Sequence, residues 1–416
     1  MRLAGSDWTV KELTEIKGGV TVPTGFLAAS IHGGVKDSGD GGDGKAGRDD
    51  MALIFSESPA AAAGTFTTNR VKAAPVLVSA AHARAGARAI IVNSGNANAC
   101  TGAQGLEAAR KMCRATAKAL GVAEREVLVC STGRIGVQLP IARMEEAIAK
   151  LPAKLGKHSR KAARAIMTSD TYPKEIAVEC RIGGKPVRVG GIAKGAGMID
   201  PNMATMLSFI TTDAAIGRPD LQKALRASVG QSFNRITVDG DMSTNDTVLA
   251  LANGRAGNAP LVWGAGEFAI FQAALDRVTS ALARMIVKDG EGVSRFIDLR
   301  VTGARTEREA RLAARAIANS MLVKCSWHGG DPNWGRIMDA VGYSGARIRP
   351  ERIRIAYDGL TAVEGGMPAA TPMARLRAVA RKKEFTISVE LGVGDAAYGI
   401  WTTDLTTEYV EFNMGE

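Results

Sequence analysis

Lys194-Gly195-Ala196-Gly197-Met198-Ile199-Asp200-Pro201-Asn202-Met203-Ala204-Thr205-Met206-Leu207-Ser208 is the stretch from which the rest of the chain is read. A lysine and two glycines open it as a tight loop, and Pro201 restricts Asp200 to an extended backbone. Thr205-Met206-Leu207-Ser208-Phe209-Ile210-Thr211 is β-branched, aromatic and apolar, so it reads as a buried strand with Thr205 at its mouth. A hydroxyl fixed on a rigid element is well placed to act as a nucleophile.

A threonine hydroxyl is a weak nucleophile at neutral pH and needs a base within hydrogen-bond reach. His32, His82, His158 and His328 fall in no metal or triad spacing. A threonine made N-terminal by cleavage supplies its own base, an α-amine with an ordinary pKa of about 7.7 to 8.0. Ala204-Thr205 would then be the scissile bond. From spacing alone, an ordinary strand-start threonine is the better reading of Thr205.

The strand Glu126-Val127-Leu128-Val129-Cys130 is expected to end at Ser131-Thr132-Gly133, where backbone N–H groups can face a developing oxyanion or simply make a turn. Asn93-Ser94-Gly95-Asn96-Ala97-Asn98 reads as an amide-rich loop after a strand. Glu175 to Arg181 and Pro186 to Ile192 predict a hairpin about Gly183-Gly184, which delivers the chain to Lys194. Lys194 fits a substrate carboxylate or a solvated loop. Helices are predicted over about 104–120, 142–151, 266–287 and 306–318. Arg235-Ile236-Thr237-Val238 reads as another strand, before an acidic loop, Asp239-Gly240-Asp241 to Asp246, assigned to structure or pocket support.

Lys194 to Leu207, with Asn93 to Ala99, Cys130-Ser131-Thr132-Gly133, Met167-Thr168-Ser169-Asp170-Thr171, Thr237-Val238-Asp239-Gly240-Asp241, Asp289-Gly290-Glu291-Gly292 and Asp331-Pro332-Asn333-Trp334-Gly335-Arg336, resembles the ornithine acetyltransferase family of arginine biosynthesis. These motifs run nearly end to end in the family's order. The resemblance implies a four-layer αββα, self-cleaving N-terminal-threonine core in residues 1–290, and a smaller α/β domain in 291–416 whose tail returns to the site. It implies acetyl transfer from N-acetylornithine to glutamate through Thr205, with Thr132 and Gly133 as the oxyanion hole. Thr168, Lys194, Thr205, Glu291 and Asn413 match its substrate-binding positions. No metal or cofactor is implied; acetyl-CoA enters as a second donor. The family precedent is a cytoplasmic α2β2 assembly of the two cleavage products, with no nucleic-acid or membrane partner. Members commonly end Asn-Ala-x-Tyr-x-Thr/Ser. Here Asn413-Met414-Gly415-Glu416 keeps the asparagine and lacks the terminal hydroxyl. The alternatives are an N-terminal-threonine hydrolase like the related aminopeptidases, with water as acceptor, and a non-catalytic binding protein.

Bulk properties agree with a globular α/β chain. The 416 residues are 46% hydrophobic, enough for two cores, and no run approaches the roughly 18 apolar residues of a membrane span. The start, Met1 to Asp7, lacks a signal peptide's apolar stretch, hence the cytoplasmic expectation. A net charge of +11 raises a nucleic-acid partner. The basic residues form no dense block, and aromatics are only 5%, so solvated helix faces fit better. Such a field also suits carboxylate substrates. Five widely spaced cysteines argue against a disulfide framework or a zinc site and read as buried thiols. Lys36 to Lys45, rich in glycine and aspartate, reads as a flexible insertion, without the downstream glutamate of a calcium loop.

Overall fold

The computed structural model describes residues 13–36, 47–200 and 206–414. The pair Ala204-Thr205 and the insertion at 37–45 lie outside them.

The first half of the described chain folds as β1 (Thr14–Ile16), β2 (Phe26–Ile31), β3 (Met51–Phe66), α1 (Ala74–His82), β4 (Ala87–Asn96), α2 (Gly102–Leu120), β5 (Val127–Arg134), α3 (Ile141–Lys150), α4 (Ser159–Ala165), β6 (Lys174–Ile182) and β7 (Lys185–Lys194). After the junction come β8 (Leu207–Thr212), α5 (Arg218–Gln231), β9 (Thr247–Ala252) and α6 (Phe268–Lys288). One sheet is ordered β1-β6-β7-β8-β9-β3, and β3 continues into a second with β2, β4 and β5.

Strand alternation explains the layering. Leu249 and Leu251 of β9, Leu207 and Phe209 of β8, Ile90 and Val92 of β4, and Leu128 and Cys130 of β5 meet in a core between the two sheets. The alternate residues Val248 and Ala250 face Leu225, Leu275 and Val278 of α5 and α6. On the other side, Ile91 and Val129 face Ala109, Met112 and Cys113 of α2 and Met144 of α3. The architecture is therefore α-β-β-α.

The predicted hairpin forms with β6 and β7 in register from Lys174↔Ala193 to Ile182↔Lys185, and Gly183 and Gly184 both take positive φ, 57° and 74°. Two Cβ-free residues are what such a two-residue turn requires. Met51-Ala52-Leu53-Ile54-Phe55 and Gly64-Thr65-Phe66-Thr67-Thr68, which read in the sequence as two short β runs, fall on one 16-residue strand that ends at Phe66. Met51–Phe55 pairs with β4, the register shifts between Phe55 and Ala60, and Ala61–Phe66 pairs with β9. Pro59, which has no N–H to donate, lies in that break. Arg235–Val238 is not a ladder strand: Arg235 ends a 3-10 turn, and Ile236 makes only an isolated bridge with Trp401.

The rest folds as β10 (Phe296–Ala304), α7 (Glu307–Ala318), α8 (Met321–His328), α9 (Trp334–Tyr343), β11 (Arg354–Tyr357), β12 (Leu360–Glu364), β13 (Met367–Pro368), α10 (Met373–Ala380), β14 (Glu384–Glu390), β15 (Ala396–Thr403) and α11 (Thr407–Phe412). Its sheet, β13-β12-β11-β14-β10-β15, packs Leu299, Val301 and Ile387 against Ala313, Ile317, Trp327 and Val341. In the sequence, Lys324 to Arg336 reads as supplying Asp331, Asn333 and Trp334 in a loop; Asp331 and Asn333 do lie between the helices, whereas Lys324 belongs to α8 and Trp334 and Arg336 to α9. Of the five cysteines, Cys113, Cys130 and Cys180 are buried, whereas Cys100 and Cys325 are exposed.

Candidate active site

The polar triplet at Ser131 is not a turn after β5 but its continuation. β4 and β5 run parallel, with Ser94 opposite Thr132 and Gly95 opposite Gly133, so both polar motifs lie in paired strands. Buried polar groups demand partners, and these have them. Ser131 Oγ donates to Asn93 Oδ1 (2.6 Å), Ser94 Oγ to the Ala165 carbonyl (2.6 Å), and Asn245 Nδ2 to the carbonyls of Ala97 (2.6 Å) and Ser131 (2.8 Å). Gly133 has φ +128°, and a Cβ there would lie 2.3 Å from the Gly95 carbonyl carbon. Only glycine fits this approach.

Lys194 is the last residue of β7 and is 3% exposed, so it is neither a turn residue nor solvated. Its Nζ donates to Thr132 Oγ1 at 3.2 Å, which ties the end of β7 to the end of β5. Burial pulls its pKa below that of an ordinary lysine; the carboxylates of Asp170, Glu291 and Asp246 oppose that shift, and Lys174 adds to it.

Asp170 gathers the surrounding loops. Its Oδ1 accepts from the Gly195 N–H (2.8 Å) and from Lys174 Nζ (2.6 Å), and its Oδ2 from the Thr168 N–H (3.1 Å). Burial alone would raise this carboxyl, but Lys174 and Lys194 hold it below the usual carboxylate range. Lys174, wholly buried, also donates to Asp289, which in turn accepts from the N–H and hydroxyl of Thr171.

Glu291 lies over Gly197, where a Cβ would come 2.3 Å from its Oε2, and its N–H donates to the Ala196 carbonyl at 3.0 Å. The tail reaches the same place: Thr406 Oγ1 donates to the Gly292 carbonyl (2.7 Å), and Asn413 Nδ2 to Glu291 Oε2 (3.2 Å). Thr132, Thr168, Lys194, Glu291 and Asn413, from five separate stretches, are thus linked through Lys194, Asp170 and the turn at 195–197. Thr205 lies outside the described residues, but Met206 is placed: its N–H donates to Asp246 Oδ1 at 3.1 Å. Asp246 is fully buried, and burial pushes its carboxyl well above the usual range.

The sequence reading gave no role to Asp170 or Lys174, and assigned the loop ending at Asp246 to structure or pocket support. The signal for Asp170 was its place inside the Thr168–Thr171 motif. Lys174, four residues on, lies in no motif, and its pairing with Asp289 spans 115 positions.

A model of the ArgJ family matches residues 28–415. The chain belongs to the ArgJ family. The arginine biosynthesis bifunctional protein of Geobacter sulfurreducens is 49% identical over 392 residues, covering 94% of this chain and 98% of that protein. That of Symbiobacterium thermophilum is 46% identical over 400 residues, 96% of this chain and 98% of its own. The crystal structure of the Bacillus halodurans protein is 42% identical, with a TM-score of 0.50, and all of that chain matches 51% of this one. As an ArgJ family member, the chain is an acyltransferase of arginine biosynthesis.

Proposed function

We propose that the enzyme cuts itself between Ala204 and Thr205 and then carries acetyl from N-acetylornithine to glutamate on the Thr205 hydroxyl. The observation that carries this reading is the convergence of a buried cation, Lys194, and a carboxylate, Glu291, on the turn just upstream of the nucleophile's strand. Donor and acceptor are both α-amino acids or their derivatives. Lys194 suits the α-carboxylate they share, and Glu291 with Asn413 suits a substrate ammonium or amide.

In maturation, Thr205 Oγ attacks the Ala204 carbonyl, the C–N bond breaks, and the amide becomes an ester. Water then releases the Ala204 carboxylate and leaves a free Thr205 amine. In each turnover that amine takes the hydroxyl proton as the oxygen attacks the acetyl carbonyl, and passes it to the departing ornithine amine. Glutamate's amine reverses the sequence and leaves as N-acetylglutamate. Thr132 and Gly133 supply the oxyanion donors, and Thr168 a substrate contact. The half-length match of the Bacillus halodurans chain supports the cut, since division there would leave pieces of 204 and 212 residues.

The pieces would stay together. β7 pairs with β8 and β3 with β9 across the cut, and each large apolar side chain between the sheets contributes roughly 1.5–3 kcal/mol. We further assign residues 1–290 and 291–416 to two domains, the pieces to an α2β2 assembly, and the enzyme to the cytoplasm, which its unpaired cysteines favour. No helix among the described residues is long and apolar enough to cross a membrane. The chemistry requires no cofactor; acetyl-CoA would enter as an alternative donor to the same acetyl-enzyme.

Acetyl-labelled N-acetylornithine, added without glutamate, should label the fragment beginning at Thr205, and initial rates should show parallel, ping-pong lines. Label appearing as free acetate after glutamate is added would instead make the enzyme a hydrolase. Intersecting lines with no labelled fragment would exclude the acetyl-enzyme.

A further inference from the structure

Residues 196–200 lead into the proposed cleavage site, and far more holds them than a loop needs. Asp239 accepts from two successive N–H groups, those of Met198 (2.6 Å) and Ile199 (2.8 Å). Met198 is left-handed, with φ 56°, a costly conformation for a residue with a side chain that persists only where its surroundings enforce it. The Ile199 carbonyl accepts from the Val238 N–H (2.7 Å) and from Thr237 Oγ1 (3.1 Å). Asp200 is 6% exposed, and its Oδ2 is ion-paired with Arg315 of α7. Asn319, just beyond α7, accepts from Thr237 Oγ1 (2.8 Å), and Tyr409 of the tail donates to Asp239 (3.4 Å). α7 packs its other face into the second core.

None of these contacts involves Thr132, Lys194 or Glu291, so acetyl transfer does not explain them. On the other side of the junction, β8 and the Met206–Asp246 hydrogen bond fix the chain. The scissile bond is thus bracketed by an upstream anchor at Asp200 and a downstream anchor at Met206. Intramolecular attack depends on holding its two reacting groups in a near-attack arrangement. After the cut, the upstream anchor holds a free carboxyl end that takes no part in turnover.

We propose that the ion pair between Asp200 and Arg315 is a maturation device: the second domain positions the upstream side of the junction for self-cleavage, and the pair is dispensable for acetyl transfer once the bond is cut. Arg315 and Asp200 are positioning residues for maturation. The inference rests on cleavage between Ala204 and Thr205.

The test follows precursor purified soon after induction, with cleavage timed by gel and mass spectrometry. Arg315→Met and Asp200→Asn should each slow cleavage at least tenfold, and Arg315→Lys should recover part of the rate. Transfer by the fully cut fraction of each variant should keep kcat and KM within about twofold of wild type. Asp200→Asn guards against misfolding in Arg315→Met, because it removes the charge that would otherwise be buried without a partner. Cleavage at the wild-type rate in both variants would overturn the inference, as would a loss of transfer in cut protein equal to the loss of cleavage. A wild-type chain that stays intact while transferring acetyl would instead overturn the Thr205 reading.

Discussion

Lys174 and Lys194 are both buried lysines, at the same open end of the β6–β7 hairpin, and both lie beside Asp170. Lys174 begins β6 and is matched inside the fold by two carboxylates, Asp170 and Asp289. Lys194 ends β7; its hydrogen bond among the described residues goes to a neutral hydroxyl, and the carboxylates around it do not restore an ordinary lysine pKa. A cation fully paired within the protein has no charge left for a ligand, and its loss strands its buried partners, whereas one left short of a partner costs stability and is available to an anion from outside. The difference supports Lys174 as scaffold and Lys194 as the proposed binding group without reference to relatives.

Removing each lysine should therefore have opposite consequences. Lys174→Met leaves two buried carboxylates facing each other, so stability should fall by about 3–5 kcal/mol. Thermal unfolding checks it, and an unchanged Tm would break the contrast. Lys194→Met should leave Tm unchanged or raise it. Its folded pKa lies below its unfolded one, so the unfolded chain binds more protons and the buried charge opposes folding below its ordinary pKa. Transfer should drop roughly 10- to 10²-fold in kcat/KM, from the loss of one charge-assisted hydrogen bond of about 1.5–3 kcal/mol.

A smaller effect sharpens the point. In its proposed role Lys194 would hold a carboxylate only while protonated, so KM should rise with pH once its depressed pKa is passed, before the range where ordinary lysines titrate. In Lys194→Arg that rise should vanish. A KM profile identical in wild type and Lys194→Arg would remove Lys194 from carboxylate binding. Asn413 is exposed and contacts Glu291 at 3.2 Å, so Asn413→Ala should raise KM only severalfold and leave kcat nearly unchanged. Unchanged KM for both substrates would exclude the tail from the site.

What could be read from the chain follows from how local each signal is. Gly183-Gly184, the apolar stripes of α2 and α6, and the β-branched run after Met206 are local, and the structure places each as read. β3 escaped because Pro59 marks an interruption in sequence, while in space the strand passes there from one sheet to the other. Val238 and Ile236 alternate like a strand, but Val238 N–H is spent on the Ile199 carbonyl and Ile236 only bridges Trp401, contacts that no local pattern encodes. The site divides the same way. Thr132, Asp170, Lys194, Glu291 and Asn413 stand in recognisable strings, whereas the contacts that organise them reach across the chain: Gly195 to Asp170 over 25 positions, Met206 to Asp246 over 40 and Lys174 to Asp289 over 115.

The most direct test of the threonine mechanism is intact mass and N-terminal sequencing of active protein, alone and after incubation with N-acetylornithine. Two chains should be found, the second beginning at Thr205 and gaining one acetyl group with the donor, while Thr205→Ala remains a single inactive chain. A single uncut chain in a preparation that transfers acetyl would contradict it.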